Sequence, residues 1–153
     1  MTITIRQAGP GDEAAIVRLT QEMAAGEDDV SPVDEHYAHR FLASPAAGVL
    51  LAEDDGEAVG LLSYALVPGL YHAADSGLIE LLIVTGTRRG EGIGHRLVRA
   101  ALRAFHEAGC AEASVSTGEE NAGAQRVYRD AGLTESSLLL ETHFDSAGSK
   151  SRT

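Results

Sequence analysis

One segment, residues 78–94, strongly constrains how this chain of 153 residues folds. An apolar run at 78–84 is followed by a basic, glycine-rich turn and then by a helical pattern. Gly90, Gly92 and Gly94 allow the backbone to approach a ligand closely and to point successive N–H groups in one direction. A helix that begins near Gly94 adds unpaired amides and the positive end of its dipole. The segment therefore predicts a strand–loop–helix unit that binds a polyanion, most naturally a pyrophosphate.

The residues of this loop distinguish it from two familiar phosphate-binding loops. A P-loop ends in Gly-Lys-Ser or Gly-Lys-Thr, but the only lysine here is Lys150. The dinucleotide fingerprint requires the spacing G-x-G-x-x-G, whereas this chain has G-x-G-x-G. The pattern that is present is Arg-x-x-Gly-x-Gly, formed by Arg89, Gly92 and Gly94, with Arg88 as a second positive charge.

A second motif follows one predicted helix and one predicted strand later. Residues 121–133 read Asn-Ala-Gly-Ala-Gln-Arg-Val-Tyr-Arg-Asp-Ala-Gly-Leu, with Asn121 first and Tyr128 in the middle. The two motifs in this order, with the opening Ile-Thr-Ile-Arg-Gln-Ala, resemble the GNAT N-acetyltransferase superfamily over residues 2–143. The chain departs from that family at Gly86, where members often have proline, and this departure removes no predicted contact.

The predicted elements are a strand, two helices, a three-stranded meander, and then helix, strand, helix and strand. This order predicts an α/β (α+β) architecture, in which a mixed sheet carries helices on both faces. The resemblance implies a GNAT fold, whose mostly antiparallel sheet has two splayed strands that leave a V-shaped slot for pantetheine. Residues 1–144 are expected to form this single domain, and 145–153 a flexible tail.

Three local patterns predict where particular elements begin and end. The pair Ser31-Pro32 predicts the cap and the first residue of the second helix, with Tyr37 on its inward face. The pair Pro68-Gly69 predicts an irregular stretch that continues through Gly77. A final strand is predicted over residues 136–144.

The resemblance implies that the cosubstrate is acetyl-CoA, and it assigns residues that bind it. The backbone of residues 82–84 would pair with pantetheine as an added strand does, and the glycine loop would hold the pyrophosphate. Asn121 is expected both to contact pantetheine and to cap its helix. The residues predicted to bind the cosubstrate are Leu82, Ile83, Val84, Arg88, Arg89, Gly90, Glu91, Gly92, Ile93, Gly94, His95, Asn121 and Tyr128.

Two residues are predicted to carry the chemistry. Tyr128 matches the general-acid tyrosine of the family, which protonates the departing thiolate; the alternative is a packing tyrosine with its hydroxyl at the surface. Glu80 lies in an apolar strand, where a carboxylate is costly unless it is paired or used. The family often has a glutamate here that deprotonates the amine through water. A structural carboxylate is the alternative, and Glu119, Glu120 and His72 are rival bases.

Composition argues against several other functions. A net charge of −11 argues against nucleic acid as a partner, and no apolar stretch reaches the roughly 18 residues that span a bilayer. A single cysteine, Cys110, excludes an internal disulfide and is typical of a cytoplasmic protein. His36 and His39 lie one helical turn apart without further ligands, so no metal site is predicted.

These observations predict an acetyl-CoA-dependent N-acetyltransferase that moves the acetyl group directly to a primary amine. The alternatives are a non-catalytic GNAT-like module that binds acyl-CoA as a sensor, and a nucleotide-binding α/β protein. The identity of the acceptor does not follow from the fold. Acidic residues near the junction of the first two helices, at 27–29 and 34–35, would favour a cationic amine, although a merely solvated surface is the alternative. A homodimer is compatible with the sequence.

Overall fold

The computed structural model describes residues 2–144, so the tail predicted for 145–153 lies outside the described residues. A short 3-10 helix, Gly86–Arg88, connects the fourth strand to the third helix. The strands and α-helices, in chain order, are β1 (Ile3–Gln7), α1 (Glu13–Gly26), α2 (Glu35–Ala43), β2 (Ala47–Asp54), β3 (Glu57–Gly69), β4 (Ala74–Val84), α3 (Ile93–Glu107), β5 (Glu112–Val115) and α4 (Ala122–Asp130).

The described strands form one sheet in the order β1-β2-β3-β4-β5. The first four strands are antiparallel to their neighbours, while β5 runs parallel to β4. β5 pairs only with Ser76–Ile79, in the first half of β4, and leaves residues 80–84 without a described strand partner on that side. The predicted mixed, mostly antiparallel sheet is confirmed, and the splay lies between β4 and β5.

Helices cover both faces of this sheet, as predicted. α3 and α4 pack on one face through Leu97, Phe105 and Tyr128, whereas α1 and α2 pack on the other through Leu19 and Ala38. Neighbouring residues of β2 belong alternately to the two apolar clusters. Because side chains alternate across a strand, the clusters lie on opposite faces.

β4 contains a β-bulge that decides which of its side chains face which cluster. Ser63 pairs with Leu81 and Tyr64 pairs with Ile79, so Glu80 is the extra residue. In a regular strand Ile79 and Ile83 would share a face, but Ile79 packs with α3 and Ile83 packs with α1. Successive residues of β4 are apolar because helices cover both faces of the strand, and the bulge only shifts which residue faces which cluster. Bulges are common beside active sites, where they redirect a side chain.

Two predictions about element boundaries are wrong. Helix α2 begins at Glu35 rather than at residue 32, because the Asp34 side chain accepts a hydrogen bond from the Tyr37 N–H at 2.8 Å and caps the helix. This start places Ala38 inward and leaves Tyr37 exposed. The predicted irregular stretch from residue 68 to 77 is mostly strand, because β3 and β4 remain paired out to Gly69 and Ala74.

The predicted final strand is also wrong. Residues 136–144 have no regular secondary structure and are exposed throughout. Strand-forming residues become a strand only when another strand offers hydrogen bonds, and no described strand of the chain pairs with this segment.

Candidate active site

The glycine loop has the backbone that the sequence predicts. Gly90 and Gly92 have φ angles of 83° and 81°, in the left-handed region that glycine adopts most readily. Gly92 caps α3, which begins at Ile93. A Cβ built at either glycine would meet no atom within 4 Å. The N-terminal amides of α3 therefore border open space, the arrangement in which helix starts bind anions.

The start of the loop is held by α1. The Glu22 carboxylate accepts a hydrogen bond from the Thr85 hydroxyl and another from the Gly86 N–H, each at 2.9 Å. The bond from Gly86 lowers the pKa of Glu22, so its negative charge persists at neutral pH. No local pattern in the sequence pointed to Glu22, because its partners lie more than 60 positions along the chain.

Arg88 holds the other side of the loop. Its guanidinium lies 2.9 Å from the carboxylate of Asp54 at the end of β2 and 2.9 Å from the carboxylate of Glu91. These carboxylates raise the pKa of Arg88 and share its charge. The side chains of Arg88 and Glu91 therefore stabilise the loop and attach it to the end of β2. Direct contact of either residue with the cosubstrate stays a prediction.

Arg89 differs from its neighbour. Its side chain is exposed, and within residues 2–144 it makes no hydrogen bond and no close ion pair, although its charge acts on the Glu22 carboxylate. The side chain of Ile93 is only 2% exposed in the core, so only its backbone can reach a ligand. Arg89 and the loop amides are thus the groups best placed to bind a pyrophosphate.

The start of α3 also contacts α4 and β4. His95 Nε2 lies 3.1 Å from the carboxylate of Asp130, which joins the two helices. A Cβ at Gly94 would lie 3.7 Å from Leu82 and 3.9 Å from Val127. The glycine loop therefore sits directly over the end of the splayed strand.

The splay leaves one edge of β4 available. Leu82 and Val84 are partly buried against the α3–α4 cluster, and Ile83 is buried on the other face. Their backbone groups on the β5 side have no strand partner, because the pairing stops at Ile79. Asn121 caps α4, as predicted, by accepting from the Ala124 N–H at 3.1 Å through Oδ1. That bond leaves the Nδ2 donor for a ligand carbonyl.

Tyr128 lies on α4 in the same apolar cluster as Leu82 and Val84. The residue is 7% exposed, and its hydroxyl makes no hydrogen bond within the described part of the chain. Burial raises the pKa of the phenol above its ordinary value, so it keeps its proton at neutral pH. Such a group can donate a proton or a hydrogen bond to a developing anion.

Glu80 is exposed, although it lies in a strand whose two faces are otherwise apolar. The bulge and the splay open this part of β4, and the side chain lines a cavity of about 750 Å³ between α1, α2 and the sheet. Neighbouring protein still removes part of the water around the carboxylate and raises its pKa. A carboxylate with a raised pKa is a stronger base than an ordinary one.

The cavity contains further polar groups. Ser63 is 5% exposed, and its hydroxyl has no hydrogen-bond partner in the described residues. The carboxylates of Glu27, Asp29 and Asp34 also line the cavity. Ser63 did not enter the sequence predictions, although a serine within the apolar run at 59–66 was a usable sign. A buried hydroxyl without a partner is costly unless a ligand satisfies it.

The rival bases lie elsewhere. Glu119 and Glu120 are exposed in the loop before α4, and His72 lies in the β3–β4 turn, 3.8 Å from Glu112. None of the three lines the cavity. Cys110 is half-buried, and burial raises the pKa of its thiol, which disfavours the nucleophilic thiolate.

Residues 2–144 show neither a candidate metal site nor a candidate membrane-spanning helix. No group of three or more His, Cys, Asp or Glu side chains there could hold a metal ion. No helix among these residues has the length and apolar character to cross a membrane.

Known proteins share this sequence pattern and this fold. Residues 14–133 match the model of the Acetyltransferase (GNAT) family. Aminoalkylphosphonate N-acetyltransferase of Salmonella typhimurium is 30% identical over 86% of this chain and 85% of its own length. Mycothiol acetyltransferase of Nocardia farcinica is 37% identical over 86% of this chain, but the match covers only 41% of that longer protein.

Solved structures of other proteins have the same fold as this chain. A transcriptional regulator from Bacillus halodurans C-125 superposes with a TM-score of 0.82 at 27% identity, over 94% of this chain and 100% of that chain. The aminoglycoside N-acetyltransferase AAC(6')-Iy, in complex with a CoA-containing bisubstrate analogue, gives 0.80 at 21% identity, over 95% and 100%. The second likeness concerns the fold alone. With the family match over residues 14–133, these findings show that the chain belongs to the GNAT acetyltransferase family.

Proposed function

We propose that this protein is an acetyl-CoA-dependent N-acetyltransferase whose acceptor is a primary amine. The observation that carries the proposal is the splay of β4 from β5, because the unpaired edge of β4 leads straight into the glycine loop. Tyr128 packs beside that edge, and Glu80 lies where the edge begins. Because the chain contains a single cysteine, which is typical of a reducing compartment, we also propose the cytoplasm as its location.

Two parts of acetyl-CoA, the pyrophosphate and the pantetheine arm, would each find matching groups in the slot. The pyrophosphate would accept hydrogen bonds from the amides at the start of α3, with Arg89 adding positive charge. The pantetheine amides would pair with the free backbone edge at residues 82–84, as an added strand does. Asn121 would donate to a pantetheine carbonyl through Nδ2. Arg88 would act indirectly, by holding the loop in place.

The reaction would be a direct transfer. A free alkylamine has a pKa near 10.4 and is mostly protonated at neutral pH, so Glu80 would first accept its proton, directly or through water. The amine nitrogen would then attack the thioester carbonyl, whose oxygen is stabilised by backbone N–H groups at the edge of β4. As the carbon–sulfur bond breaks, Tyr128 would give its proton to the thiolate. The nitrogen would lose its second proton to water, and the phenolate of Tyr128 would take a proton back from water.

A thiol-release assay with a panel of amines tests this proposal. Acetyl-CoA plus an accepted amine should release free CoA thiol, and omission of the amine should remove the signal. If acetyl-CoA raises the unfolding temperature but no amine gives turnover, the protein is an acyl-CoA sensor. Stabilisation by ATP or NAD but not by CoA would instead indicate a nucleotide-binding protein.

The Glu80→Gln variant tests the proposed base. Its kcat/KM at neutral pH should fall by about tenfold, less than the usual contribution of a general base because water in the open cavity can still accept the proton. Part of the activity should return at high pH, where the free amine is already present. Asp75→Asn removes an exposed carboxylate from the same strand and is the control. An equal loss at every pH would assign Glu80 a structural role.

The acceptor is proposed to be a cationic amine held in the cavity beside Glu80. Residues 1–60 contain 12 acidic side chains and 3 arginines, whereas residues 61–153 contain 11 acidic and 9 basic ones. Three of the acidic side chains of the first part, Glu27, Asp29 and Asp34, line the cavity. They would attract an acceptor that carries a second positive charge. The Ser63 hydroxyl would form a hydrogen bond with a polar group of that acceptor.

Paired substitutions separate this effect from general surface charge. Glu27→Gln with Asp29→Asn should raise KM for a diamine about fivefold at low salt, because a partly exposed charge pair contributes about 1 kcal/mol. The difference should shrink as salt screens the charges. Asp28→Asn with Glu35→Gln removes the same charge from residues that do not line the cavity. Equal KM changes in both double variants would show that the acidic residues lining the cavity have no specific role in binding the acceptor.

A further inference from the structure

The interior of the cavity beside Glu80 is apolar. Its floor is formed by facing residues of the sheet, because Ser63 of β3 pairs with Val49 of β2 and with Leu81 of β4. Val49 and Leu81 belong to the apolar cluster on the α1–α2 face. The walls come from α1 and α2 and are apolar as well: Ile16, Met23, Ala38 and Phe41. A ligand that enters the cavity therefore meets mainly hydrocarbon.

The hydroxyl groups inside the cavity offer a ligand few hydrogen bonds. The Thr20 hydroxyl donates to the carbonyl of Ile16 at 2.8 Å, and the Ser31 hydroxyl accepts from the Val33 N–H at 3.2 Å. The Ser63 hydroxyl is the buried one that has no partner in the described part of the chain. One polar group of a buried ligand can therefore be satisfied there, whereas each further polar group would lose its hydrogen bonds to water.

The charged groups of the cavity lie at its rim instead. Four acidic residues line the cavity and are all exposed: Glu27, Asp29, Asp34 and Glu80. Two large apolar residues line the same opening, where Val30 is 78% exposed and Tyr37 is 54% exposed. Such side chains extend the apolar surface of the cavity outward, and covering them with an apolar ligand removes them from water.

We infer that this cavity takes a primary amine carried on a bulky apolar body, aromatic or aliphatic, with at most one hydrogen-bonding group in its buried part. The body lies over the sheet and under Val30 and Tyr37, while the amine nitrogen, and any second charge, stays at the rim with Glu80. A polyhydroxylated amine of the same size would bury several hydroxyl groups against hydrocarbon, so the cavity disfavours it. That this amine is the acceptor rests on the proposed function, whereas its binding can be measured without turnover.

Calorimetric titration of the free protein measures the preference. Hexylamine and glucamine have the same carbon chain and the same terminal amine, but glucamine carries a hydroxyl group on each of its other carbons. Hexylamine should bind at least about tenfold more tightly than glucamine, and phenylbutylamine more tightly still. From butylamine to hexylamine the affinity should rise about fourfold for each methylene that becomes buried. Absence of binding by hexylamine and phenylbutylamine, or binding of glucamine that is at least as tight, would overturn the inference.

Paired substitutions show whether the amines bind in this cavity. Val30→Ser with Tyr37→Ser should weaken the binding of phenylbutylamine about tenfold, the loss expected for roughly two buried methylene groups of contact. Because both residues are exposed, the variant should unfold at the wild-type temperature. Leu70→Ser with Tyr71→Ser changes side chains that are 98% and 94% exposed in the β3–β4 turn and do not line the cavity, so the affinity should stay unchanged. An equal effect of both pairs, or no effect of either, would place the binding elsewhere and contradict the inference.

The thiol-release assay separates this inference from the proposed function. Binding of phenylbutylamine without turnover of any amine would contradict the proposed function and leave the apolar preference of the cavity standing. Turnover of glucamine with a kcat/KM equal to or above that of hexylamine would support a transferase and show that the apolar preference is wrong.

Discussion

The affinity for acetyl-CoA is expected to fall by roughly 100-fold in the Gly92→Val variant. Gly92 has a φ of 81°, which a β-branched residue adopts only with strain, so valine would rotate the amides that begin α3. Loss of two charge-assisted hydrogen bonds, at about 1.5 kcal/mol each, corresponds to about two factors of ten in affinity. The added side chain would also occupy the open space beside the loop. Calorimetric titration of the folded variant with acetyl-CoA measures the effect.

Gly109→Val is the matched control. Gly109 has a φ of 83° and, like Gly92, no atom within 4 Å of a built Cβ, but it follows the opposite end of α3. The two variants should lose similar stability on thermal unfolding, and only Gly92→Val should lose affinity. Unchanged affinity in Gly92→Val, or an equal loss in both variants, would show that the loop does not bind the pyrophosphate.

Replacement of Tyr128 by phenylalanine is expected to lower kcat by about 100-fold, the lower part of the range for general acids. The phenol is the donor in the slot whose raised pKa keeps it protonated at neutral pH. Its hydroxyl makes no hydrogen bond in the described residues, so its removal should leave the unfolding temperature and the acetyl-CoA affinity nearly unchanged. Steady-state kinetics with an accepted amine, beside titration with acetyl-CoA, measure both quantities.

Tyr71→Phe provides the comparison, because Tyr71 is almost fully exposed in the β3–β4 turn. It should keep wild-type kcat. If Tyr128→Phe also turns over at the wild-type rate, the thiolate leaves without help from Tyr128, and that residue only packs α4 against the sheet. A thioester with a better leaving group should reduce the defect if Tyr128 is the acid.

The parts of the site that were predictable from sequence are those whose chemistry is local. Left-handed φ angles at Gly90 and Gly92 follow from the residue type, and the cap at Asn121 needs only an amide at the right place before a helix. The mixed sheet with helices on both faces followed from the order of elements. The two glycine conformations and the cap depend only on neighbours a few positions away, whereas the sheet was predictable because the order of elements leaves few ways to pack them.

Other features could not be predicted, because they depend on groups that are distant along the chain. Glu22 reaches Gly86 across 64 positions, and Arg88 reaches Asp54 across 34. These contacts give Arg88 a structural use in the loop, and its predicted contact with the cosubstrate stays a prediction. That the Ser63 hydroxyl is buried without a hydrogen-bond partner in the described residues can be recognised only once the surrounding cavity is known.

By itself, then, the sequence determined the glycine loop, the helix that follows it and the residue types available to the site, since backbone preferences act locally. Tertiary structure alone decided the bulge at Glu80, which directs that carboxylate into the cavity, because a bulge exists only relative to a paired strand. It also decided that residues 136–144, predicted as a strand, pair with no strand among residues 2–144. A strand requires a partner, and hydrogen bonds to a partner are not encoded in the strand itself.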